Sequence, residues 1–313
     1  MEAPPALTTS SAAPAPRPPE TAVAASPVED SGRSREWRAF WRNPMAWVGL
    51  AGLGLIVLFT YAGPFVWRTN PYTPNLLAIM KGPTAAHPLG TDNLGRDVLA
   101  RLMLGGQLSL EIGFVSALCS MVIGTVYGLV SGLAGGAVDH LMMRVVDVLI
   151  SLPSIFLLLL IDSIFRPSAV LLIVVLALTS WFYVARLVRS QVLTLRSREY
   201  VEAARAAGSR TARVMMRHLL PNVLDVVMVS TTFQVGNAIL TVAGLSFLGL
   251  GLPPPTPNWG QMLSDSMTYI FQNLWWLIYP PGLMIVAVEL GVNLVGDAMQ
   301  AAFDPRLATG GRA

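Results

Sequence analysis

Six stretches of this chain are mainly apolar for about 20 residues or more, and that property restricts the fold more than any other. Crossing about 30 Å of hydrocarbon as an α-helix takes about 20 such residues, and in lipid the backbone must bond to itself. The stretches fall at 45–67, 109–134, 144–165, 168–188, 222–245 and 277–299. Trp47 and Trp67 stand where a first crossing would meet the two headgroup layers. The third and fourth stretches are joined tightly at Arg166-Pro167. With 53% hydrophobic and 12% charged residues, the composition agrees. The expected fold is an all-α polytopic membrane protein with six transmembrane helices.

Charge then orients the spans. Arg33, Arg35, Arg38 and Arg42 precede the first, and Arg189, Arg196, Arg198, Arg205, Arg210, Arg213 and Arg217 lie between the fourth and fifth. The 246–276 segment carries neither Arg nor Lys. Inner loops hold the basic excess, so the N and C termini and the 189–221 loop are expected in the cytoplasm. An even number of spans agrees, since it puts both termini on one side. Outside would lie 68–108 and 246–276, the latter apolar but broken by Pro253, Pro254 and Pro255. It reads either as an interfacial or re-entrant element, or as a plain loop with aromatics at the membrane surface. Residues 1–35 are rich in Pro, Ala and Ser and are expected to be a disordered leader, with the first apolar run too far along for a cleavable signal. The remaining divisions are 36–108 with the first span, 109–300 as the transmembrane domain, and 301–313 as a cytoplasmic tail. A net charge of +3 gives no basis for a nucleic acid partner.

The inner loop contains EYVEAARAAGSRTARVMMRHLLPN at 199–222. Ser197 is a candidate N-cap, and Glu199 and Glu202 suit the positive end of a helix dipole. Ala203, Ala204, Ala206 and Ala207 propagate helix with little bulk. Gly208 should stop it in a left-handed turn. Ser209 or Thr211 can cap a second helix, which should halt at Leu220, before Pro221. Two short helices meeting at an angle, with small residues exposed, make a docking shape. A solvated basic loop that only sets topology is the alternative.

Glu202-Ala203-Ala204 with Gly208 four residues on, then Leu220-Pro221, resembles the EAA loop of ABC importer permease subunits. HPLGTDNLGRDVLARLMLGGQLSL (87–110), AGLSFLGLGLPPPTPNWGQML (243–263) and NLVGDAMQAAFDPRL (293–307) resemble signatures of the dipeptide/oligopeptide/nickel group, C-type subunit. The resemblance implies a type I ABC importer permease fold in the bacterial cytoplasmic membrane. It implies that Glu199, Glu202, Ala203, Ala204, Gly208, Arg213, Leu220 and Pro221 couple the subunit to an ATPase. Implied partners are a sister permease, two ATP-binding subunits or domains, an external substrate-binding protein and the lipid bilayer. Peptide is the expected cargo, with nickel chelates, glutathione and haem as alternatives within the group.

The residues themselves exclude other chemistry. Lys81, the only lysine, is followed by Gly82 and cannot belong to a P-loop, so ATP and Mg would be held by partners and no cofactor by this chain. His87, His140 and His218 are scattered, Cys119 is alone, and no GxSxG elbow exists, which speaks against a metal site or an enzyme, an intramembrane protease included. A gradient-driven carrier would need acids inside the spans. Asp147 can pair with Arg144, and Asp162 with Arg166, at helical spacing. Glu289 has no cation within a turn and has Asn293 one turn on. The resembled family implies an apolar residue there, so Glu289 and Asn293 are candidates for the translocation path, with hydrogen bonding to a partner subunit as the alternative.

Overall fold

The computed structural model describes residues 32–165 and 167–303, and these are mainly helical. The described residues include five helices long and apolar enough to cross a membrane, or six if one bent pair is a single span. A short helix, α1 (Gly32–Arg42), leads through Asn43 into α2 (Pro44–Val66), the first long one. The Asn43 side chain accepts from the Met45 N–H, and Pro44 occupies the first turn, where no donor is lost. Four residues assigned to the leader, Gly32 to Arg35, thus begin a helix, and the rest of it lies outside the described residues.

The second long helix, α3 (Val98–Ala134), starts eleven residues before the apolar stretch that announced it (109 − 98 = 11). Asp97 is the reason: its carboxylate caps the helix at the Ala100 N–H, at 2.7 Å. The boundary expected at 108–109 therefore falls within a helix. Gly135, at φ +62°, ends α3. The third apolar stretch is not one straight helix. α4 (Gly136–Ser151) and α5 (Ser154–Ile164) meet at a 75° bend at Leu152-Pro153, as proline disfavours helix in the residue before it. The pairing expected of Asp162 with Arg166 falls on side chains outside the described residues.

α6 (Ala169–Leu195) runs seven residues beyond the fourth apolar stretch (195 − 188 = 7), so the loop expected from 189 begins inside a helix. It packs along α3 through a ladder of small residues. A Cβ at Gly124, Gly128 or Gly132 would meet Val184, Val188 or Val192 of α6 within 3 Å. Glycine at every fourth position clears one stripe of α3, and β-branched valines at the same spacing fill it. Next come α7 (Glu199–Ala206), α8 (Thr211–Val214), a π turn (Met215–Leu219) and α9 (Leu220–Phe247). The chain closes with α10 (Trp259–Met267) and α11 (Trp275–Phe303), the latter crossing α2 where Gly49 lies against the Gly291 carbonyl. The described part of the expected tail, Ala301 to Phe303, is the end of α11.

The 246–276 segment is therefore a packed element and no plain loop. Trp259 is fully buried, donates from Nε1 to the Leu102 carbonyl at 2.9 Å, and lies on Gly106 where a Cβ would clash. It joins Ile56 of α2, Val98 and Leu102 of α3, Ile239 of α9 and Val288 of α11 in one core.

Candidate functional site

The site expected from sequence is the elbow between α6 and α9. α7 is only eight residues long, too short to persist alone, and is stabilised by the packing of one face. Val201 is that face: it is fully buried with Val214 and Leu219 against Val188 and Val192 of α6, Val223 and Val227 of α9, and Leu129 of α3. A ring contact between Tyr200 and His218, centroids 6.2 Å apart, adds a second tie. Everything else on α7 faces outward: Glu199, Glu202, Ala203, Arg205 and Ala206 are exposed, and Ala204 is half-buried.

Gly208 sits at φ +79°. The Ser209 N–H reaches back to the Ala204 carbonyl at 3.0 Å and the Gly208 N–H to that of Arg205 at 2.9 Å, closing the helix as a left-handed turn does. Space is not the constraint, since nothing lies within 4 Å of a Cβ built there; the backbone angle is.

Three local expectations are corrected. Ser197 does not cap α7: its hydroxyl donates to the Thr194 carbonyl, and the cap position is Arg198, without a side-chain bond. Arg210, not Ser209 or Thr211, precedes α8, again without one. Nor does the second helix halt before Pro221. The proline ring would strike the carbonyl four residues back, and the chain widens into the π turn, with the Leu220 N–H bonded to the Met215 carbonyl, then continues as α9 with Pro221 in its first turn. Leu220 and Pro221 thus belong to the root of the elbow, while Arg213 is exposed beside it.

The residues that sequence reasoning missed are the anchors, Val201, Val214 and Leu219. Their signal was present as isolated apolar positions in a polar loop. Arg196 and Arg189, counted only as topology markers, are also engaged. Arg196 donates to the Gly132 carbonyl at 3.1 Å, and Arg189 grips both oxygens of buried Asp139 at 2.6 and 2.7 Å, with Ser131 adding a third bond to the same carboxylate. These contacts tie the base of the elbow to the α3–α4 corner.

Asp147 pairs across helices with Arg186 of α6, at 2.5 Å, rather than with Arg144 on its own helix. Glu289 is half-buried on α11 and accepts from the Asn293 amide at 3.2 Å. Its other oxygen lies where a Cβ on Gly236 of α9 would come within 2.6 Å, so glycine at 236 makes room for the carboxylate between two helices. Nearby, Ser120 of α3 donates to Gln234 of α9, whose amide reaches the Ser180 carbonyl of α6. Among the described residues no group of three His, Cys, Asp or Glu side chains could hold a metal ion.

Residues 124–309 match the family of the binding-protein-dependent transport system inner membrane component, and 34–83 match the N-terminal transmembrane domain of oligopeptide transport permease C. The chain is 38% identical over 268 residues to the oligopeptide transport system permease protein OppC of Bacillus subtilis, covering 86% of this chain and 88% of that one. It is 40% identical over 285 residues to a putative peptide permease protein of Brucella suis, covering 90% and 93%. A di/tripeptide transport system permease protein DppC of Pseudomonas aeruginosa is 39% identical over 280 residues, covering 87% and 91%. In three dimensions the chain resembles an inward-facing form of the MetNI methionine ABC transporter, with a TM-score of 0.54 at 22% identity, over 65% of this chain and 97% of that one, which is a likeness of fold alone. The matched segments cover most of the described helices, and on that ground the chain belongs to the binding-protein-dependent transport system inner membrane components, the permease subunits of ABC importers.

Proposed function

We propose that this chain is half of the translocation pathway of a peptide importer in the bacterial plasma membrane, driven by a separate ATPase. The observation that carries the reading is the elbow: a short helix with its acidic and alanine face bare, rooted by Val201 in a core shared with three long helices. A bare face invites a partner, and a rigid root passes on that partner's movement. Six crossings, with α4 and α5 together as the third, leave both termini and the elbow in the cytoplasm, in accord with the arginines. Peptide is the cargo because the relatives are peptide permeases by name.

In this mechanism two ATP-binding subunits close on ATP and receive α7 through Glu199, Glu202, Ala203 and Ala204, and α8 through Arg213. The small alanines permit close backbone approach. The movement enters α6 and α9 through the valine cluster and shifts this chain and a sister permease between inward- and outward-open forms. A ligand shifts such an equilibrium only by its different affinity for the two states, so ATP and a loaded external binding protein both favour the outward form. ATP and Mg are bound by the partners, and this chain carries out no catalysis. Glu289 and Asn293 line the path. Glu289→Gln should slow peptide uptake by the assembled complex, and uptake at the normal rate would remove them from it.

Gly208→Val tests the elbow. Valine tolerates positive φ poorly, the turn should re-form at a different angle, and uptake should fall about tenfold for each 1.4 kcal/mol of docking lost. Insertion into the membrane should continue. Normal uptake with the ATPase still co-purifying would count decisively against this coupling role.

A further inference from the structure

Two ion pairs join α4 to α6, and they are built differently. Asp139–Arg189 is closed: the carboxylate is buried and takes three hydrogen bonds, two from Nε and Nη2 along one guanidinium edge and one from Ser131. Asp147–Arg186 is open. The side chains are 50% and 52% exposed, and a single contact, Nη2 to Oδ1, joins them. One carboxylate oxygen and the remaining guanidinium donors have no other partner among the described residues. Arg144, one turn before Asp147, is exposed and likewise has none.

Such a group does not belong against lipid. Arg186 lies nine residues, about 14 Å, before the end of α6, within reach of the bilayer, where charged side chains face water, a cavity or one another. A cavity of about 220 Å³ opens beside the pair, between the α4–α5 bend and α6. The pair stands just outside its lining, which includes Ile150, one turn after Asp147 on α4, and Ser154, Thr179 and Tyr183. Tyr183, one turn from Arg186 on the same helix, is 61% exposed. At about 30 Å³ per water the space holds about seven waters, enough for part of a small peptide.

We infer that Asp147 and Arg186, with Arg144 beside them, form a water-facing station near the inner mouth of the pathway that takes the charged ends of a zwitterionic cargo. This deepens the peptide-importer reading and rests on it. The exchange is one of partners: Asp147 leaves the Arg186 guanidinium and accepts from the cargo's ammonium. Arg186, with its two parallel N–H donors, turns to the cargo's carboxylate, assisted by Arg144. Because charge is matched in both states, opening the pair strands no ion, and a single contact open to water is what makes exchange easy. Asp139–Arg189, gripped three ways, cannot do this and holds the helices while the other pair opens.

The test uses the full importer complex in nanodiscs, which leave both faces in water. Cys119 is replaced by Ala, Tyr183 by Cys, and the thiol is treated with a charged, membrane-impermeant methanethiosulfonate. Labelling should be fast, and a dipeptide with free termini at twice its dissociation constant should slow it about threefold. The same dipeptide, acetylated and amidated, should not. Adding Asp147→Asn should abolish the protection. No labelling would mean that the face meets lipid or protein; equal protection by both peptides, or protection that survives Asp147→Asn, would mean that the charges do not read the termini. Each of these overturns the station. Absence of ATP-driven uptake of any peptide by the unmodified complex would instead overturn the importer reading, so the two failures remain separate.

Discussion

The two ends of the long α3–α6 pair are built on opposite principles. At the Val98 end, segment 87–101 and α10 tie the chain to itself. Asp97 caps α3, accepts from Trp67 Nε1 at 3.1 Å and lies 2.7 Å from His87 Nδ1. Asp92 holds Arg96, and Arg101 reaches the carbonyls of Pro71 and Pro255 from a buried position. Gly90 and Gly95, at φ +67° and +72°, let the segment turn tightly enough to do this. At the elbow end a single side chain of α7 is buried and its polar groups face outward. One end is largely self-sufficient, although among the described residues Asn93 Oδ1 and Asn258 Nδ2 stay buried there without a hydrogen-bond partner; the other leaves its polar groups exposed on the surface. A folded chain shows where it expects company by where it stops satisfying itself.

Substitutions can break that contrast. Trp259→Ala should have the largest effect, costing about 4 kcal/mol through a large cavity and the lost indole bond to the Leu102 carbonyl, read as a drop in the thermal unfolding midpoint of the complex. A midpoint near that of the unaltered protein would mean that the α10 end is not the self-sufficient one. Val201→Ala removes two methyl groups from the root of α7 and should cost about 1.5 kcal/mol, with uptake falling further than stability because the lever loosens. If uptake and midpoint fell in proportion, the anchor would be ordinary core. Gly208→Val should move the midpoint least, by about 1 kcal/mol of backbone strain, yet depress uptake most relative to stability. That separation of function from stability is the sharpest form of the contrast.

Much of this was legible before any coordinates. Apolar length located the long helices because lipid leaves the backbone no other choice, and Gly208 announced its turn because only glycine adopts that angle freely. The misplacements have local causes. Asp97 started α3 early because a buried cap outweighs the polarity of the residues after it. Pro153 bent the third stretch, since apolar content says nothing of straightness. Ser197 turned its hydroxyl back to Thr194, one of two bonds open to any serine near a helix end. Pro221 sits in a helix that continues from Thr211 because the π turn just before it relieves the clash between its ring and the preceding turn.

What sequence alone determined here are properties set by neighbours along the chain: how many stretches can lie in lipid, where arginines gather, where glycine must turn, and the likeness to a permease family. The tertiary structure decided which groups meet. Asp147 found Arg186, 39 residues away, in place of Arg144 three residues off. Gly236 made room for Glu289, and Val201 became a root rather than a stray apolar residue in a polar loop. Pairing between helices depends on their relative rotation and rise, which are fixed by small-residue stripes and valine ladders acting together, and no single stretch contains that information.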